Sequence, residues 1–290
     1  MKVILAKSAG FCFGVKRALE TVNREIQETD GPIYTYGPII HNEIVVDDLK
    51  EQGVDVLEEG KNLDSYQKGT IVIRSHGVSK NTMDELRSHD FRVVDATCPF
   101  VLKIHRVVEE YANKGYHIII TGNRQHPEVE GIIGWIQNED YDVISSKEEA
   151  MAIQLPKDKK VCLVSQTTFN YKKFEELVEI IEKKGYDIFC LNTICSATAE
   201  RQNEAAAVAD KVDVMIVIGG KHSSNSQKLY EICKEINPQT FFIQSQADLD
   251  LSVLESINTV GITAGASTPQ KIIQEVQETC QNRNRALRRC

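Results

Sequence analysis

The sequence predicts an α/β fold of three repeated units, each a small, mainly parallel sheet flanked by helices. Three segments run from a strand through a cysteine into a helix, and their cysteines are Cys12, Cys98 and Cys195. Two further landmarks follow each cysteine in the same order and at nearly the same spacing. Self-similarity of this kind indicates a repeat architecture, and β-branched strands that alternate with helices indicate parallel sheets.

The second landmark of each unit is a glycine that ends a strand and opens a polar turn. These glycines stand 24 or 25 residues after their cysteines and are Gly37, Gly122 and Gly219. Four residues after each glycine comes a side chain that can form hydrogen bonds: His41, His126 and Ser223.

The third landmark is a β-branched strand that breaks into a turn rich in Ser, His, Gln and Thr. It places His76, Thr167 and Ser267 at 64, 69 and 72 residues after the cysteines of their units. One more short strand, VDVLE, YDVIS or TFFIQ, lies between the second and third landmarks. Each unit is therefore expected to carry four strands and three helices.

The domain boundaries follow from these landmarks: 13–97, 98–194 and 195–280, with a tail at 281–290. The third unit ends in a helix with no strand after it, whereas a spare strand precedes Cys12. We expect the N-terminal strand, within 1–12, to complete the third sheet and to close the units into a ring around a central cavity. The tail carries a cluster of arginines, interpreted as a solvated segment: Arg283, Arg285, Arg288 and Arg289.

Composition limits the classes of function. The 290 residues are 41% hydrophobic and 26% charged, which is typical of a globular protein. A net charge of −8 argues against a general nucleic-acid surface. No apolar run approaches the roughly 20 residues of a membrane span, and the apolar N-terminal stretch is too short for a secretory signal. We therefore expect a soluble, cytoplasmic protein that makes no contact with membranes.

The cysteines indicate a metal or redox site, because eight of them in a chain of this length do not suggest a secreted disulfide scaffold. Ligands of parallel sheets bind at the carboxyl ends of the strands, where Cys12, Cys98 and Cys195 stand. Three thiolates far apart in sequence suit a [4Fe–4S] cluster with one iron left open. A zinc ion bound by three cysteines is the alternative. The other cysteines are interpreted as packing or tail residues: Cys162, Cys190, Cys233, Cys280 and Cys290.

The remaining turn residues predict an anion site, since they offer many hydrogen-bond donors and almost no lysine or arginine. Such a set, together with helix N-termini, suits a phosphate or diphosphate. Helix capping is the alternative role, because Ser and Asn favour N-caps. The predicted donors are His41, His76, His126, Ser223, Ser224, Asn225 and Ser267. The other histidines are interpreted as surface or packing residues: His89, His105, His117 and His222.

Glu128 is the one carboxylate of these turns that we expect to point inward. It follows Pro127, which favours the first helical position. The helix N-terminus would stabilise the ionised carboxylate, whereas desolvation or nearby negative charge would stabilise the protonated acid. Capping is again an alternative role. The sequence leaves this balance open.

The motifs at these landmarks resemble one family over essentially the whole chain. They are Gly10-Phe11-Cys12-Phe13-Gly14-Val15, His41-Asn42, Arg74-Ser75-His76-Gly77, Asp95-Ala96-Thr97-Cys98-Pro99, Gly122–Glu128, Ser165-Gln166-Thr167-Thr168, Thr193-Ile194-Cys195 with Ala197-Thr198, Ser223-Ser224-Asn225-Ser226 and Gly265-Ala266-Ser267-Thr268-Pro269. The family is that of 4-hydroxy-3-methylbut-2-enyl diphosphate reductase, also called LytB or IspH, the last enzyme of the methylerythritol phosphate route to isoprenoids.

The resemblance implies a trefoil of three α/β domains around a [4Fe–4S] cluster held by Cys12, Cys98 and Cys195, whose fourth iron takes the substrate's C4 oxygen. It implies that Glu128 supplies a proton for C–O cleavage and that Thr167 orients it, with His126 also in this catalytic group. The diphosphate would be bound by His41, His76, Ser223, Asn225 and Ser267, with His126 and Ser224 contributing.

The reaction implied by the resemblance reduces (E)-4-hydroxy-3-methylbut-2-enyl diphosphate with two electrons and two protons. It expels water and yields isopentenyl and dimethylallyl diphosphates. The electrons would come from an external carrier such as ferredoxin or flavodoxin, because no flavin or nicotinamide fingerprint is evident. Gly219-Gly220 follows a strand but lacks the G-x-G-x-x-G pattern.

Three other classes of protein fit part of the sequence pattern. A cluster-dependent hydro-lyase would need no reductant, and its carboxylate substrates would call for arginines that the turns lack. A redox sensor or cluster carrier would expose its cluster, whereas convergence of three repeats predicts a buried one. A zinc-stabilised binding protein would be colourless and indifferent to oxygen.

Overall fold

The structure, a computed structural model, describes residues 1–255 and 257–287, with side chains to residue 282. Three four-stranded sheets account for the strands of this part of the chain, and every strand pair in them is parallel. Helices follow the strands in each repeat. The predicted fold class, three small parallel sheets flanked by helices, is confirmed.

The first sheet has the order β3-β2-β4-β5. Its strands are β2 (Ile33–Tyr36), β3 (Val54–Leu57), β4 (Thr70–Ile73) and β5 (Arg92–Asp95). The helices of this part of the chain are α1 (Phe13–Glu28), α2 (Glu43–Glu51) and α3 (Lys80–Ser88), with a 3-10 turn at Leu63–Ser65. The predicted count of four strands and three helices is confirmed here.

The second sheet has the order β7-β6-β8-β9. Its strands are β6 (His117–Thr121), β7 (Tyr141–Ile144), β8 (Lys160–Ser165) and β9 (Asp187–Cys190). Its helices are α4 (Pro99–Asn113), α5 (Pro127–Ile133), α6 (Lys147–Ala152) and α7 (Tyr171–Glu182). The expected three helices are four, because Ser146 and Glu149 form a capping box that begins the short helix α6.

The third sheet has the order β1-β12-β10-β11. Its strands are β1 (Lys2–Leu5), β10 (Val214–Ile218), β11 (Thr240–Ile243) and β12 (Thr259–Ala264), and its helices are α8 (Ser196–Ala209), α9 (Ser224–Ile236) and α10 (Gln270–Leu287). Because β1 pairs with β12 in parallel, the N-terminal strand completes this sheet, as predicted. The tail predicted from residue 281 is helical as far as Leu287, and residues 288–290 lie outside the described residues.

The central strands are buried on both faces. Ile71–Ile73 of β4, Ile118–Ile120 of β6 and Ile216–Ile218 of β10 are fully buried between helices. Such continuous apolar runs are typical of parallel strands covered on both sides, and each buried aliphatic side chain contributes about 1.5–3 kcal/mol of transfer free energy. These rigid strands fix the turns at their carboxyl ends.

The chain divides into two compact units. The smaller one comprises Met1–Val15, His41–Val45 and Ser196–Cys290, and the larger one comprises Lys16–Ile40 and Val46–Cys195. The smaller unit holds the third sheet, and the larger unit holds the other two. The division into three domains at 97/98 and 194/195 stays a prediction. No helix among the described residues has an apolar run long enough to cross a bilayer.

Candidate functional site

The three cysteine turns are built in the same way. The backbone N–H of each cysteine donates to the carbonyl of a residue just past the end of a central strand, at 3.0 or 3.1 Å. The three donor–acceptor pairs are Cys98 with Ser75, Cys195 with Thr167, and Cys12 with Ala266. Each cysteine is half-buried and is followed at once by a helix. The predicted equivalence of the cysteines is therefore visible in the backbone.

The same hydrogen bonds correct one detail of the repeat. Thr167 is equivalent to Ser75 and Ala266, so Thr168 is the residue equivalent to His76 and Ser267. Counting from the cysteine misaligned the second unit by one residue, whereas counting from the end of the preceding strand gives the correct register. Thr168 is half-buried and its Oγ1 accepts from the Gln166 amide at 3.1 Å. It joins the candidate site residues.

Glu128 is held by Thr167 inside the larger unit. The Thr167 backbone N–H donates to Glu128 Oε1 at 2.6 Å, and the Thr167 hydroxyl donates to Glu128 Oε2 at 2.7 Å. The Thr167 carbonyl accepts from the N–H of Cys195. One residue thus fixes both the carboxyl group and the cysteine turn.

Burial decides the proton affinity of Glu128. Its side chain is only 2% exposed, and this desolvation raises the pKa of Glu128 from 4.5 to about 7, although both Thr167 hydrogen bonds lower it. Of the two opposing effects that the sequence left open, desolvation is therefore the larger, and a substantial fraction of the carboxyl group is protonated at neutral pH. A carboxyl group of this kind can hold and release a proton near neutral pH.

His126 and His76 lie beside each other in the larger unit. Their ring centroids are 5.4 Å apart in an edge-to-face arrangement, and a ring nitrogen of one lies within 4.8 Å of a ring nitrogen of the other, so both can reach a common ligand. His126 is also the N-cap of α5, and its Nδ1 accepts from the Glu128 N–H at 3.1 Å. Because Nδ1 is an acceptor, the neutral ring carries its proton on Nε2. The predicted capping role and a role as a donor are thus compatible.

In the smaller unit, two side chains of α8 form hydrogen bonds to the backbone of the turn that precedes Cys12. The Arg201 guanidinium donates to the Gly10 carbonyl at 2.7 Å. The Glu204 carboxylate accepts from the backbone N–H groups of Lys7 and Ser8 at 2.7 and 2.8 Å. These contacts join residues almost 200 positions apart in the sequence, so spacing and periodicity gave no sign of them.

Hydroxyl groups converge at the N-terminus of α9. Ser223 is its N-cap, and Ser223 Oγ accepts from the N–H and the hydroxyl of Ser226 at 3.3 and 2.9 Å. The Ser267 hydroxyl lies 3.4 Å from Ser223 Oγ and 3.2 Å from the His41 carbonyl oxygen. A glycine is required nearby, since a Cβ at Gly219 would lie 2.1 Å from Ser226 Oγ. The structure thus places the Ser267 hydroxyl beside Ser223 and the His41 backbone, while their role as donors to a ligand stays a prediction.

Asn225 has the environment of a ligand-binding side chain. It is 4% exposed, and neither its amide nitrogen nor its amide oxygen has a hydrogen-bond partner within the described part of the chain. A buried, unsatisfied amide costs about 1–3 kcal/mol, so a bound polar group would recover that energy. Ser224, which directly precedes Asn225, is half-buried and is the first residue of α9.

The remaining cysteines differ from the three turn cysteines. Burial raises the pKa of Cys162 and Cys233 to about 12 and that of Cys280 to about 11, which keeps these thiols protonated and inert. Cys190, expected within a packed strand, is exposed. Cys290 lies outside the described residues.

The remaining histidines fit their predicted roles. His222 is exposed and His89 is half-buried, whereas His105 packs in the core and His117 is buried with its ring nitrogens on two aspartates.

Parallel sheets whose strand-end turns carry half-buried cysteines, a buried carboxyl group that titrates near neutral pH and an unsatisfied amide define an α/β enzyme with its site at the strand ends. The model of the LytB protein family matches residues 3–281. The chain belongs to the LytB family.

Similar proteins cover almost the whole chain. The 4-hydroxy-3-methylbut-2-enyl diphosphate reductase of Thermoanaerobacter sp. strain X514 is 49% identical over 278 residues, which is 95% of each chain. The enzyme of the same name from Clostridioides difficile strain 630 is 44% identical over 282 residues, 97% of this chain and 100% of the relative.

Two solved structures of reductases are similar to this chain over almost its whole length. The E-1-hydroxy-2-methyl-but-2-enyl-4-diphosphate reductase of Plasmodium falciparum superimposes with a TM-score of 0.91 at 29% identity, covering 96% of this chain and 87% of that one. A second structure, of (E)-4-hydroxy-3-methyl-but-2-enyl diphosphate reductase, the terminal enzyme of the non-mevalonate pathway, has a TM-score of 0.68 at 39% identity. It covers 97% of this chain and 100% of its own.

Proposed function

We propose that the chain reduces (E)-4-hydroxy-3-methylbut-2-enyl diphosphate to isopentenyl and dimethylallyl diphosphates, the last step of the methylerythritol phosphate route. Two electrons and two protons enter, the allylic C–O bond breaks, and the hydroxyl group leaves as water. The observation that carries the proposal is the buried Glu128 carboxyl, which Thr167 fixes and whose pKa burial raises to about 7, so that it can hold and release a proton near neutral pH. Similar proteins of this family are named for the same activity.

The cofactor proposed is one [4Fe–4S] cluster held by Cys12, Cys98 and Cys195. These residues fit the group because each is a half-buried cysteine that directly precedes a helix, unlike the fully buried cysteines of the core. When bound, such a cluster supplies electrons and one iron that no protein thiolate occupies, which can act as a Lewis acid.

The diphosphate is assigned to the donors of the turns. The unsatisfied Asn225 amide and the hydroxyls of Ser223 and Ser267 supply directed hydrogen bonds from the first turn of α9 and its neighbourhood. Fixed donors of this kind orient the substrate and so lower the entropic part of the barrier. The further donors proposed are His41, His76, His126 and Ser224.

Glu128 is assigned as the proton donor for the departing hydroxyl. Its protonated form gives up a proton as the C–O bond breaks, so that water rather than hydroxide leaves. Thr167 holds the carboxyl group in one orientation through two hydrogen bonds. His126 caps the same helix turn and keeps its Nε2–H available to the substrate. The second proton is taken up by the allylic carbon.

The electrons are assigned to an external protein carrier such as a ferredoxin or flavodoxin. The sequence lacks a G-x-G-x-x-G fingerprint with which the chain would bind its own nicotinamide or flavin. The proposed location is the cytoplasm, where thiols stay reduced.

The test is anaerobic purification with iron and sulfide analysis and an absorption spectrum, followed by turnover with reduced methyl viologen. We expect a brown protein with about four irons per chain, a spectrum that the allylic diphosphate perturbs, and both products. A colourless zinc protein would contradict the cofactor. Conversion without any reductant would favour a hydro-lyase instead.

A further inference from the structure

The helix that follows Cys98 carries an unusual exposed stripe. Phe100 is 41% exposed on the first turn of α4, and Lys103 and Arg106 are exposed one and two turns further on. These residues face solvent on the helix that begins directly after a half-buried candidate ligand. The stripe is thus the solvent side of the Cys98 turn.

Helix α1 adds positive charge beside the same turn. The Arg17 guanidinium donates to the Thr97 carbonyl at 2.8 Å, and the exposed Lys16 precedes it. Three carboxylates of α1 and α4 already form salt bridges: Glu25 with Arg92, Glu109 with Lys80 and Glu110 with Lys114. Glu28 ends α1, three turns away from Lys16. The remaining acidic groups are the exposed Glu20 and Asp95, and Asp95 already accepts from the Thr97 N–H. The four cations therefore leave a local positive surface on a chain whose net charge is −8.

The repeat itself supplies a comparison. After Cys195 the equivalent positions hold small or acidic residues, Ser196, Ala197 and Glu200, with no exposed aromatic ring. After Cys12 the helix begins with Phe13, which is 62% exposed. Since the backbone of the three turns is the same, neither strand geometry nor capping requires Phe100 and Lys103 where they stand.

Aromatic side chains flanked by cations are enriched at protein interfaces, where the ring supplies contact area and the charges set orientation. A positive surface on an otherwise acidic chain attracts an acidic face and turns it toward this one place, while the remaining surface repels it. A single exposed phenylalanine would need no such explanation; its neighbours Lys103 and Arg106 give it one.

We propose that the surface formed by Lys16, Arg17, Phe100, Lys103 and Arg106, the electron-entry surface, docks an acidic one-electron carrier protein beside Cys98. The inference rests on the proposed function, because the reduction there creates the demand for electrons. Each docked carrier is oxidised by one electron, so two encounters complete one two-electron turnover. The carrier keeps no covalent bond to the chain.

The test compares three variants of the cluster-loaded chain. Lys103→Glu/Arg106→Glu reverses two charges of the electron-entry surface, and Phe100→Ala removes its ring. The matched control, Lys157→Glu/Lys172→Glu, reverses two exposed lysines elsewhere in the larger unit. The probes are an acidic [2Fe–2S] ferredoxin and an acidic flavodoxin, labelled with ¹⁵N for binding titrations. Turnover is measured with each reduced carrier and, separately, with reduced methyl viologen, which needs no docking surface.

We expect the double charge reversal to weaken carrier binding and raise the KM for the carrier by about tenfold, with a shallower dependence on salt. The control keeps wild-type values, and turnover with methyl viologen is not reduced in any variant. Equal binding by the control and the charge-reversal variant, or no measurable complex with either carrier, would overturn the docking proposal. Failure of the wild type to turn over with methyl viologen would instead refute the proposed function, while the binding titrations would still decide the docking surface.

Discussion

Glu128 illustrates how one residue's chemistry depends on its surroundings. Its place in the first turn of α5 favours the ionised form through the helix dipole. Complete burial acts in the opposite direction and prevails, since the pKa rises to about 7 despite two hydrogen bonds from Thr167. At neutral pH a large fraction of the carboxyl groups is therefore protonated and able to donate.

Replacing Glu128 by Gln keeps the shape of the side chain and removes the exchangeable acid proton. We expect turnover to fall about 10²–10⁴-fold, the usual contribution of a positioned acid, with iron content unchanged. Iron analysis and steady-state rates measure the two effects. A variant that turns over at the normal rate would remove Glu128 from the mechanism.

The pH profile offers a matched test in Thr167→Val, which removes one hydrogen bond to the carboxylate. Activity that requires the acid should decline as the pH rises through about 7. Because the hydrogen bond from the Thr167 hydroxyl lowers the pKa of Glu128, its loss should move this decline to higher pH. A decline that stays in place would mean that another group titrates there.

His105 supports a second prediction at the scale of one residue. It is 2% exposed, stacks on the Trp135 indole with 5.1 Å between ring centroids, and has no partner for either ring nitrogen among the described residues. Gly77 is required against it, since a Cβ there would lie 2.7 Å from the His105 ring, and Gly77 has a φ of +74°. Burial lowers the pKa of His105 from 6.5 to about 4.

The native state of the wild type therefore loses stability as the pH falls from about 6.5 to about 4, where only the unfolded chain takes up this proton. The loss is on the order of 3 kcal/mol at the low end. His105→Phe keeps a ring against Trp135 and abolishes the titration, so its free energy of unfolding should fall less over this range. Denaturant unfolding at several pH values measures the slope, and equal slopes for both proteins would contradict the prediction.

At the scale of elements, α8 holds the Cys12 turn through two side chains on one face. Glu204 accepts from two successive backbone N–H groups, and Arg201 donates to the Gly10 carbonyl. Hydrogen bonds to charged groups contribute about 1.5–3 kcal/mol each. The helix thus acts as a support for a loop that has little regular structure of its own.

Glu204→Gln should loosen the Lys7–Cys12 loop, because an amide accepts more weakly and offers only one acceptor oxygen. We expect faster loss of iron from the reconstituted protein and weaker amide protection at Lys7 and Ser8, measured by iron release and hydrogen exchange. The control is Glu200→Gln, an exposed carboxylate on the same helix. Identical iron release in both variants would exclude a supporting role for Glu204.

At the scale of the whole molecule, the three cysteine turns should act as one ligand set drawn from distant parts of the chain. Cys98→Ser removes one thiolate, so iron content should fall and turnover should be lost. Cys190→Ser changes an exposed free thiol and is the matched control. Full iron occupancy and normal rates in Cys98→Ser would refute the ligand assignment.

Spacing and residue type were enough to predict the repeat, the parallel strands and the residues at their carboxyl ends. The count of strands also predicted that β1 joins the third sheet, because that place was left open. Such features are local: period, spacing and turn chemistry are written in neighbouring residues. The extra helix α6 and the extension of α10 to Leu287 were missed, since helix ends depend on a few capping contacts.

The chemical behaviour of these residues depends on how the chain packs. The protonation of Glu128 depends on its burial by the surrounding elements. The hydrogen bonds of Arg201 and Glu204 to the Cys12 turn join residues almost 200 positions apart in the sequence. The equivalence of Thr168 with His76 and Ser267 became clear only from the hydrogen bonds that the cysteine N–H groups donate to the turns after the strands. Desolvation and long-range hydrogen bonding are properties of packed chains, and no local pattern of residues encodes them.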